Sequence, residues 1–420
     1  MFLSGSKPFF FKLFHLHGMI LKRLLYFCSI VETFKRQTMV KEIVSICTIG
    51  ILATSCQSRK EVKSMNEATN DTLTMLVGTY TSGESKGIYT YRLDAKTGNA
   101  QLMSETPVSD PSYLTPSADG KFVYAVSEHN DTTAAVTAFA LDKEKGKLTK
   151  LNEQPTMGAD PCYIITNGQY AVTANYSGGS ISVFPIKEDG TLDKASGVMR
   201  FNGSGPDPVR QKVPHLHCVQ FTPDKKYLFA CDLGTDKIHK FNVNLQANHR
   251  NKQPLLTTGQ PLSFQLEPGS GPRHLTFAPN GMYAYVINEL SGKVTAFQYT
   301  DGQLKVIQNI EADSVRAQGS ADIHISPDGK FLYASNRLKE DGIAIFSING
   351  KDGTLTQKGY QHTGIHPRNF IITPNGRFLL VACRDSNVIQ IYERDINTGL
   401  LTDTRKDIKL SKPVCIKFVE

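Results

Sequence analysis

From about residue 73 onward, the chain alternates short apolar runs with polar, glycine-containing turns. A representative stretch, PGSGPRHLTFAPNGMYAYVINEL at residues 268–290, has two apolar runs joined by Pro-Asn-Gly. Alternation with a period of two predicts β-strands, and the short turn between the runs predicts a hairpin. In a hairpin, the start of the first strand lies beside the end of the second. Arg273 and His274 should therefore lie close to Asn288 and Glu289.

The same hairpin recurs along the chain. Five further copies start at Pro111, Pro161, Pro214, Ala321 and Pro367. The turn positions, Gly120, Gly168, Lys225, Gly281, Gly329 and Gly376, are 48, 57, 56, 48 and 47 residues apart. A repeat of about 50 residues that contains strands and no helical periodicity is typical of β-propeller blades.

A seventh copy is divided between the two ends of the repeat region. KPVCIKF at residues 412–418 reads as a first strand without its partner, and LTMLVGTYT at residues 73–81 reads as a second strand without a first. Segments such as VTAFQYTDGQLKVI add two outer strands to each hairpin. We therefore predict an all-β fold over residues 73–420: one seven-bladed propeller of four-stranded antiparallel blades, closed by pairing of the N- and C-terminal strands.

Residues 1–72 do not follow the repeat. From Met39, the sequence MVKEIVSICTIGILATSC has a lysine, an uncharged apolar stretch and small residues before Cys56, which is the order of an export signal. It resembles a bacterial lipoprotein signal, which implies a signal peptide at residues 39–55 and a lipid on Cys56. Ordinary cleavage or a membrane anchor is the alternative. We interpret residues 1–38 as an extension of the gene model and residues 56–72 as a tether.

If the signal is used, the propeller belongs in the bacterial cell envelope, attached to the membrane only through its lipid; otherwise it is cytoplasmic. The net charge of +8 does not indicate a nucleic-acid partner, because seven Lys and Arg and two Asp and Glu precede Cys56 and leave +3 for the rest. Five cysteines fall in the strand patterns: Cys162, Cys218, Cys231, Cys383 and Cys415. This odd number predicts free buried thiols, and no cysteine spacing fits a metal site.

The outer ends of the hairpins should meet on one face of the ring, around the central channel. Ionisable and polar residues are concentrated there: Glu128, Asn175, His215, His217, Arg273, His274, Glu289, His324, Arg337 and Arg368. The planar donors of arginine suit carboxylate or phosphate, so these arginines predict a small anionic ligand. The alternative is that the arginines form ion pairs between blades and the histidines are packing residues.

The runs VGTYTSGESKGIYTYRLD, RQKVPHLHCVQF, GSGPRHLTFAPNG, NEL and SPDGKFLYASNR add a family resemblance. They resemble the seven-bladed lactonase family, which includes bacterial propeller-type 6-phosphogluconolactonases and, more distantly, fungal carboxy-muconate lactonizing enzymes. The resemblance implies hydrolysis or closure of a lactone without a metal or organic cofactor. It also implies that His215 or His217, Glu289, Arg273 and Arg337 line the reaction site.

We hypothesise that Glu289, or failing that His215, takes a proton from water as the water attacks a lactone carbonyl. Arg337 and His274 would donate to the oxyanion, and Arg273 and Arg368 would hold the anionic group of the substrate. His217 completes the catalytic set, and His324, Glu128 and Asn175 complete the substrate contacts. No GxSxG motif and no suitably placed Cys-His pair is present among the strand ends, which argues against an acyl-enzyme.

The expected substrate is 6-phosphogluconolactone or a related anionic sugar lactone, and the expected state is a monomer or a weak homo-oligomer. An exported protein would more naturally meet unphosphorylated or carboxylated lactones. Two other functions stay open: a propeller that binds an acidic ligand or glycan without turnover, and a muconate-type lactonizing enzyme.

Overall fold

The computed structural model describes residues 72–248, 250–251 and 253–419. The predicted gene-model extension, the signal peptide at 39–55, the lipidation site Cys56 and all of the tether except Thr72 lie outside the described residues, so these predictions stay untested. Within the part of the chain that is described, no helix is long and apolar enough to cross a membrane.

The described residues form seven antiparallel sheets, which we number as blades 1 to 7. Blade 1 consists of β29 (Pro413–Val419), β1 (Thr72–Thr79), β2 (Gly87–Asp94) and β3 (Ala100–Pro107). Blade 2 consists of β4 (Leu114–Pro116), β5 (Phe122–Ser127), β6 (Ala135–Asp142) and β7 (Lys147–Pro155). Blade 3 consists of β8 (Pro161–Thr166), β9 (Tyr170–Asn175), β10 (Ser180–Pro185) and β11 (Gly197–Arg200).

The remaining blades follow the same order from the inner to the outer strand. Blade 4 consists of β12 (Leu216–Phe221), β13 (Tyr227–Asp232), β14 (Lys237–Val243) and β15 (Leu256–Gln265). Blade 5 consists of β16 (Pro272–Phe277), β17 (Tyr283–Asn288), β18 (Lys293–Thr300) and β19 (Gln303–Glu311). Blade 6 consists of β20 (Ile323–Ile325), β21 (Phe331–Asn336), β22 (Gly342–Ile348) and β23 (Leu355–His362).

Blade 7 departs from the predicted four strands. It consists of β24 (Pro367–Ile372), β25 (Phe378–Cys383), β26 (Val388–Arg394), β27 (Leu401–Asp403) and β28 (Ile408–Lys409). Both short strands pair with β26, β27 along one part of its length and β28 along the other. The outer edge of blade 7 is therefore covered by two short strands in place of one long strand, while the seven-bladed all-β fold itself is confirmed.

The ring closes as predicted, through antiparallel pairing of β1 with β29. Val77 lies opposite Ile416 in this pair, and both side chains are fully buried. The first strand of each blade contacts the first strands of its neighbours, so these strands surround the channel. The N- and C-terminal segments of the repeat region therefore complete one blade together.

Apolar side chains between the sheets form the core, and repeated tyrosines connect neighbouring blades. The hydroxyls of Tyr285 and Tyr333 donate to turn carbonyls of the next blade, at 2.9 Å from Gly353 O and 2.8 Å from Gly399 O. Each of these tyrosines is buried and places its hydroxyl beside an acceptor. The blades are thus joined by packing and by hydrogen bonds that the repeat reproduces.

Because β29 closes the ring, we expect a truncation of its buried side chains to lower the free energy of unfolding. Truncating the buried Ile416 to alanine should cost about 2–5 kcal/mol, because it leaves a cavity in the apolar cluster that joins blades 1 and 7. Urea unfolding of Ile416→Ala measures this, and Ile396→Ala is the matched control because Ile396 is 53% exposed in a turn. Equal stability of the two variants would show that the closing pair contributes little.

Candidate active site

Two recurring positions in the blades supply side chains to one end of the central channel, which we call the rim. The first position is a β-bulge near the start of the inner strand. One extra residue lies there, and the register of pairing between the inner strand and the second strand shifts at this residue. In blades 4, 5 and 7 this residue is His217, Arg273 and Arg368. A β-bulge re-aims the side chain of its extra residue, so the bulges bring these three basic side chains to the rim.

The second position is the residue that directly follows the second strand. In six blades this residue is aromatic, acidic or basic: Tyr80, Glu128, Tyr176, Glu289, Arg337 and Arg384. Successive side chains along a strand point to opposite faces, so the residue before each of them belongs to the blade interior. The site is therefore assembled from equivalent places in different blades.

Glu289 lies at the centre of the charged groups on the rim, and its side chain is only 8% exposed. Its Oε1 accepts a hydrogen bond from Arg210 Nη2 at 2.6 Å. Its Oε2 lies 2.9 Å from Arg273 Nε and 3.4 Å from Arg337 Nη2. The Nε–H of Arg273 is not aligned for a hydrogen bond, so that close contact is an ion pair. One buried carboxylate thus faces three guanidinium groups.

The surrounding charges control the protonation of Glu289. Burial raises its pKa, but Arg337, Arg273 and Arg210 together outweigh burial and lower the pKa to about 2. The carboxylate is ionised at neutral pH and is a weak proton acceptor. Burial and the charge of Arg368 lower the pKa of Arg273. Because positive groups outnumber the central carboxylate, the rim favours an additional anion.

His274 lies between Arg273 and a buried carboxylate. Its Nδ1 is 2.7 Å from Asp322 Oδ1, and its Nε2 is 3.2 Å from Arg273 Nη1. His324 Nε2 lies 3.1 Å from the other oxygen of Asp322. Burial and Arg273 lower the pKa of His274 to about 3, although Asp322 opposes this shift. Both ring nitrogens of His274 are occupied, so it has none free for the predicted donation to an oxyanion.

His215 is a partly exposed rim histidine with an available ring nitrogen. Its ring stacks on Tyr176 with centroids 4.3 Å apart, and its Nδ1 lies 3.1 Å from the Tyr176 carbonyl oxygen. Its backbone N–H donates to Asp232 Oδ1 at 2.8 Å. A carbonyl can only accept, so Nδ1 has a proton, and in the neutral ring Nε2 has the lone pair. Nε2 makes no hydrogen bond to any residue that the structure describes, so this nitrogen is available to accept a proton.

His217 is buried against Cys162, whose Sγ lies 3.6 Å from His217 Nδ1. From the sequence, no suitably placed Cys-His pair was expected among the strand ends, and the structure shows that a pair does lie there. The two residues occupy bulge positions in adjacent blades, which brings them together although they are distant in sequence. Burial raises the pKa of the Cys162 thiol well above its usual range, so the thiol stays protonated and is a poor nucleophile. Burial and Arg273 also lower the pKa of His217 well below its usual range.

A second group of charges surrounds Arg368, whose side chain is 16% exposed. Arg368 Nη2 lies 3.8 Å from Glu128 Oε1, and its guanidinium lies over the Tyr80 ring at 5.5 Å from the centroid. The Tyr80 hydroxyl donates to Glu128 Oε1 at 3.0 Å. Burial raises the pKa of Glu128, and Arg368 opposes this shift. Among the described residues, no hydrogen bond to the Arg368 guanidinium is found, so its donors remain free for a ligand.

Asn175 lies away from these groups, inside blade 3, with no exposed surface. Its Oδ1 accepts from Thr173 at 3.0 Å, and its Nδ2 donates to Ser180 at 3.0 Å and Ser182 at 2.9 Å. This geometry gives Asn175 a structural role and leaves none of its polar atoms for the predicted substrate contact. The next residue, Tyr176, is the one that reaches the rim.

Arg210 is a rim residue that the hairpin repeat does not reveal. It lies in the loop between β11 and β12, where the Asp207 carboxylate accepts from the backbone N–H of Val209 at 2.8 Å and of Arg210 at 2.9 Å. This turn directs Arg210 towards Glu289 and the Tyr176 hydroxyl. Arg210 is the first residue of the run RQKVPHLHCVQF, which carries part of the family resemblance. That run was the sequence feature from which Arg210 could have been identified as a site residue.

Other features of the described residues do not compete with the rim. No group of three or more His, Cys, Asp or Glu side chains among them is arranged to hold a metal ion. A cavity of about 550 Å³ lies at the turn end of the inner strands, lined by residues such as Pro116, Pro327 and Lys417. That cavity is at the opposite end of the channel and contains none of the rim side chains.

Comparison with known proteins agrees with this architecture. The family model described as Lactonase, 7-bladed beta-propeller, matches residues 74–418. The chain therefore belongs to the seven-bladed β-propeller lactonase family. The curated 6-phosphogluconolactonase of Formosa agariphila is 43% identical over 336 residues, which cover 78% of this chain and 94% of that protein.

Two solved structures extend the comparison. A Bacteroides fragilis protein is 65% identical, with a TM-score of 0.83 and coverage of 84% of this chain and 99% of that one. The periplasmic gluconolactonase PpgL of Pseudomonas aeruginosa is 32% identical, with a TM-score of 0.77 and coverage of 83% and 99%.

The environment of Glu289 predicts a pH dependence of stability. Because folding lowers its pKa from 4.5 to about 2, ionised Glu289 stabilises the protein above pH 4.5, and this contribution is lost as the pH falls towards 2. Its size is about 3 kcal/mol. Urea unfolding at a series of pH values should show lower stability of Glu289→Gln at neutral pH and a flatter curve between these limits.

Glu144→Gln is the control for this measurement, because Glu144 is exposed on a turn. Its stability curve should follow that of the wild type. If the Glu289→Gln curve also ran parallel to the wild type, the carboxylate would not be held ionised by the arginines.

Proposed function

We propose that this protein hydrolyses 6-phosphogluconolactone to 6-phosphogluconate. Two lines of support meet in this proposal. The chain belongs to the lactonase family and is 43% identical to a protein named 6-phosphogluconolactonase. The rim is rich in guanidinium groups, and the substrate has a phosphate group and forms an oxyanion during ring opening.

The free donors of Arg368 are the observation on which this proposal rests. A guanidinium group that is 16% exposed normally has its hydrogen bonds satisfied. Among the residues that the structure describes, Arg368 forms only the long ion pair with Glu128 and the contact with the Tyr80 ring. A phosphate monoester supplies the acceptors that this guanidinium lacks. We assign Arg368 to the substrate phosphate.

His215 is the best placed general base. Its Nδ1 donates to the Tyr176 carbonyl at 3.1 Å, which fixes the tautomer and directs the Nε2 lone pair away from that bond. Glu289 was the first choice of base from the sequence, but three arginines lower its pKa to about 2, which makes it a poor proton acceptor at neutral pH. We therefore assign Glu289 to the organisation of the arginines.

The reaction then proceeds in two steps. Water attacks the lactone carbonyl and passes a proton to His215 Nε2, while negative charge develops on the carbonyl oxygen. Arg273 Nη2, which makes no hydrogen bond to a residue within the described part of the chain, donates to this oxyanion. The ring C–O bond then breaks, the leaving oxygen takes the proton from His215, and the carboxylic acid product ionises in water.

A second substrate has support of its own. The Pseudomonas aeruginosa neighbour is a periplasmic gluconolactonase, and the export signal expected at residues 39–55, with lipid on Cys56, would place this protein in the cell envelope. Hydrolysis of unphosphorylated gluconolactone in that compartment is therefore the alternative function. The same base and oxyanion donor would serve it, while Arg368 would contribute less.

Replacing His215 should remove most of the catalysis. His215→Asn keeps a donor for the Tyr176 carbonyl but loses the Nε2 acceptor, so kcat should fall about 10²- to 10⁴-fold. Ring opening of 6-phosphogluconolactone, followed in cold, mildly acidic buffer, measures the rate. His362→Asn is the control because its side chain is 70% exposed. Unchanged kcat in a folded His215→Asn variant would rule out this base.

Arg368 should discriminate between the two lactones. Arg368→Met removes the charge and the free donors, so kcat/KM for 6-phosphogluconolactone should fall about 10- to 100-fold. The value for gluconolactone should change little, because this substrate has no phosphate. Arg377→Met, an exposed arginine paired with Glu393, serves as the control. Equal losses for both lactones would remove Arg368 from phosphate recognition.

A further inference from the structure

Glu289 Oε2 is the midpoint of a continuous chain of side chains that crosses blades 5, 6 and 7. We call it the central chain, and its members in order are Asp322, His274, Arg273, Glu289, Arg337, His366 and Asp385. The successive contacts measure 2.7, 3.2, 2.9, 3.4, 3.1 and 3.3 Å. From either end the order is carboxylate, imidazole, guanidinium, and the two halves meet at one carboxylate oxygen.

In the first half, the donors and acceptors permit one arrangement of protons. Arg273 Nη1 can only donate, so His274 Nε2 must accept from it. The ring proton is then on Nδ1, where it is directed to Asp322 Oδ1 at 2.7 Å. Asp322 is itself fixed, because its second oxygen accepts from Asn369 and lies 3.1 Å from His324.

The second half is less constrained, because each ring nitrogen of His366 faces a guanidinium donor. Arg337 Nη1 lies 3.1 Å from Nε2, and Arg384 Nη2 lies 3.1 Å from Nδ1. A neutral ring can accept from only one of them. Nδ1 is also 3.3 Å from Asp385 Oδ2, and Arg384 binds the two oxygens of Asp385 at 2.7 and 2.8 Å. A proton on Nδ1, with Nε2 accepting from Arg337, would match the first half.

Internal repetition of the blades does not produce this symmetry. His274 lies within β16, whereas His366 lies in the loop before β24 and has a φ of 63°. Asp322 precedes β20, and Asp385 follows β25. Non-equivalent positions thus converge on the same sequence of groups, which indicates that the arrangement serves the site.

Neutral imidazoles have an electrostatic advantage behind these arginines. A carboxylate in the same place would orient each guanidinium but would also cancel its charge. A neutral imidazole accepts the hydrogen bond and leaves the charge in place. Of the three carboxylates in the central chain, only Glu289 contacts Arg210, Arg273 and Arg337, while Asp322 and Asp385 lie behind the imidazoles.

We propose that His274 and His366 are positioning residues, each holding one arginine on Glu289 through a neutral, Nδ1-protonated imidazole, so that the arginine pair faces the anionic substrate with its charge retained. Arg273 directs its remaining nitrogen, Nη2, to the oxyanion. Arg337 fixes the shared Glu289 oxygen from the other side. The consequence for catalysis rests on the proposed lactonase function, whereas the protonation pattern does not.

Nitrogen NMR of the ¹⁵N-histidine-labelled protein tests the protonation pattern directly and needs no substrate. The signals of His274 and His366, assigned by their loss in the His274→Gln and His366→Gln variants, should both show the neutral Nδ1–H tautomer from about pH 5 to pH 8. A doubly protonated ring or the Nε2–H tautomer at either position would overturn the proposal. Absence of lactonase activity would leave this result intact and would count only against the proposed function.

Kinetics test the action of His366 through Arg337. His366→Gln keeps an acceptor near the position of Nε2, whereas the shorter His366→Asn loses it, so Asn should lower kcat about 10- to 100-fold and Gln should stay close to the wild type. His362→Asn, at an exposed histidine, is the control. Equal activity of the Asn and Gln variants, both with wild-type melting temperatures, would contradict positioning by the acceptor.

A double-mutant cycle separates positioning from an independent effect. If His366 acts through Arg337, combining His366→Asn with Arg337→Lys should be no slower than Arg337→Lys alone. Losses that multiply would overturn the proposal. The same cycle with His274→Asn and Arg273→Lys, at a residue within a strand, gives a second measurement that does not depend on the positive φ of His366.

Discussion

The ion pairs around Glu289 determine how the rim is organised. Three guanidinium groups meet at one end of the channel, and burial of Arg273 and Arg337 removes the water that would screen their repulsion. One carboxylate contacts all three, and neutral imidazoles separate Arg273 and Arg337 from the next carboxylates, Asp322 and Asp385. The rim can thus present positively charged groups in fixed positions. This arrangement suits an anionic substrate on which further negative charge develops during the reaction.

The propeller fold makes such a site compatible with a stable protein. The charged residues occupy β-bulges and the positions just beyond strand ends, so the strand interiors remain apolar and the blades pack as they would without a site. Because the blades contribute side chains to the rim at equivalent positions, a few substitutions there can change which ligand binds without disturbing the propeller fold. Gluconolactone and 6-phosphogluconolactone differ by one phosphate, and Arg368 alone is assigned to that difference.

The periodicity of the sequence was sufficient to predict the fold, because spacing and turn chemistry are local properties. Lys225, placed among the turn glycines, has the φ of 59° that such a turn requires. The site was predicted in part. Glu289 was identified as a site residue. The local pattern could not show that Asn175 lies one residue before the rim position, or that three arginines lower the basicity of Glu289. Arg210 lies in a loop outside the repeat, and Cys162 meets His217 only across blades.

A structure of the protein bound to 6-phosphogluconate would examine these assignments most directly. The product should bind at the rim with its phosphate on Arg368, its new carboxylate beside Arg273 Nη2, and His215 Nε2 within hydrogen-bond distance of the reacting atoms. Binding at the opposite end of the channel, beside Pro116 and Lys417, would contradict the account. So would a phosphate that contacts neither Arg368 nor any other rim arginine.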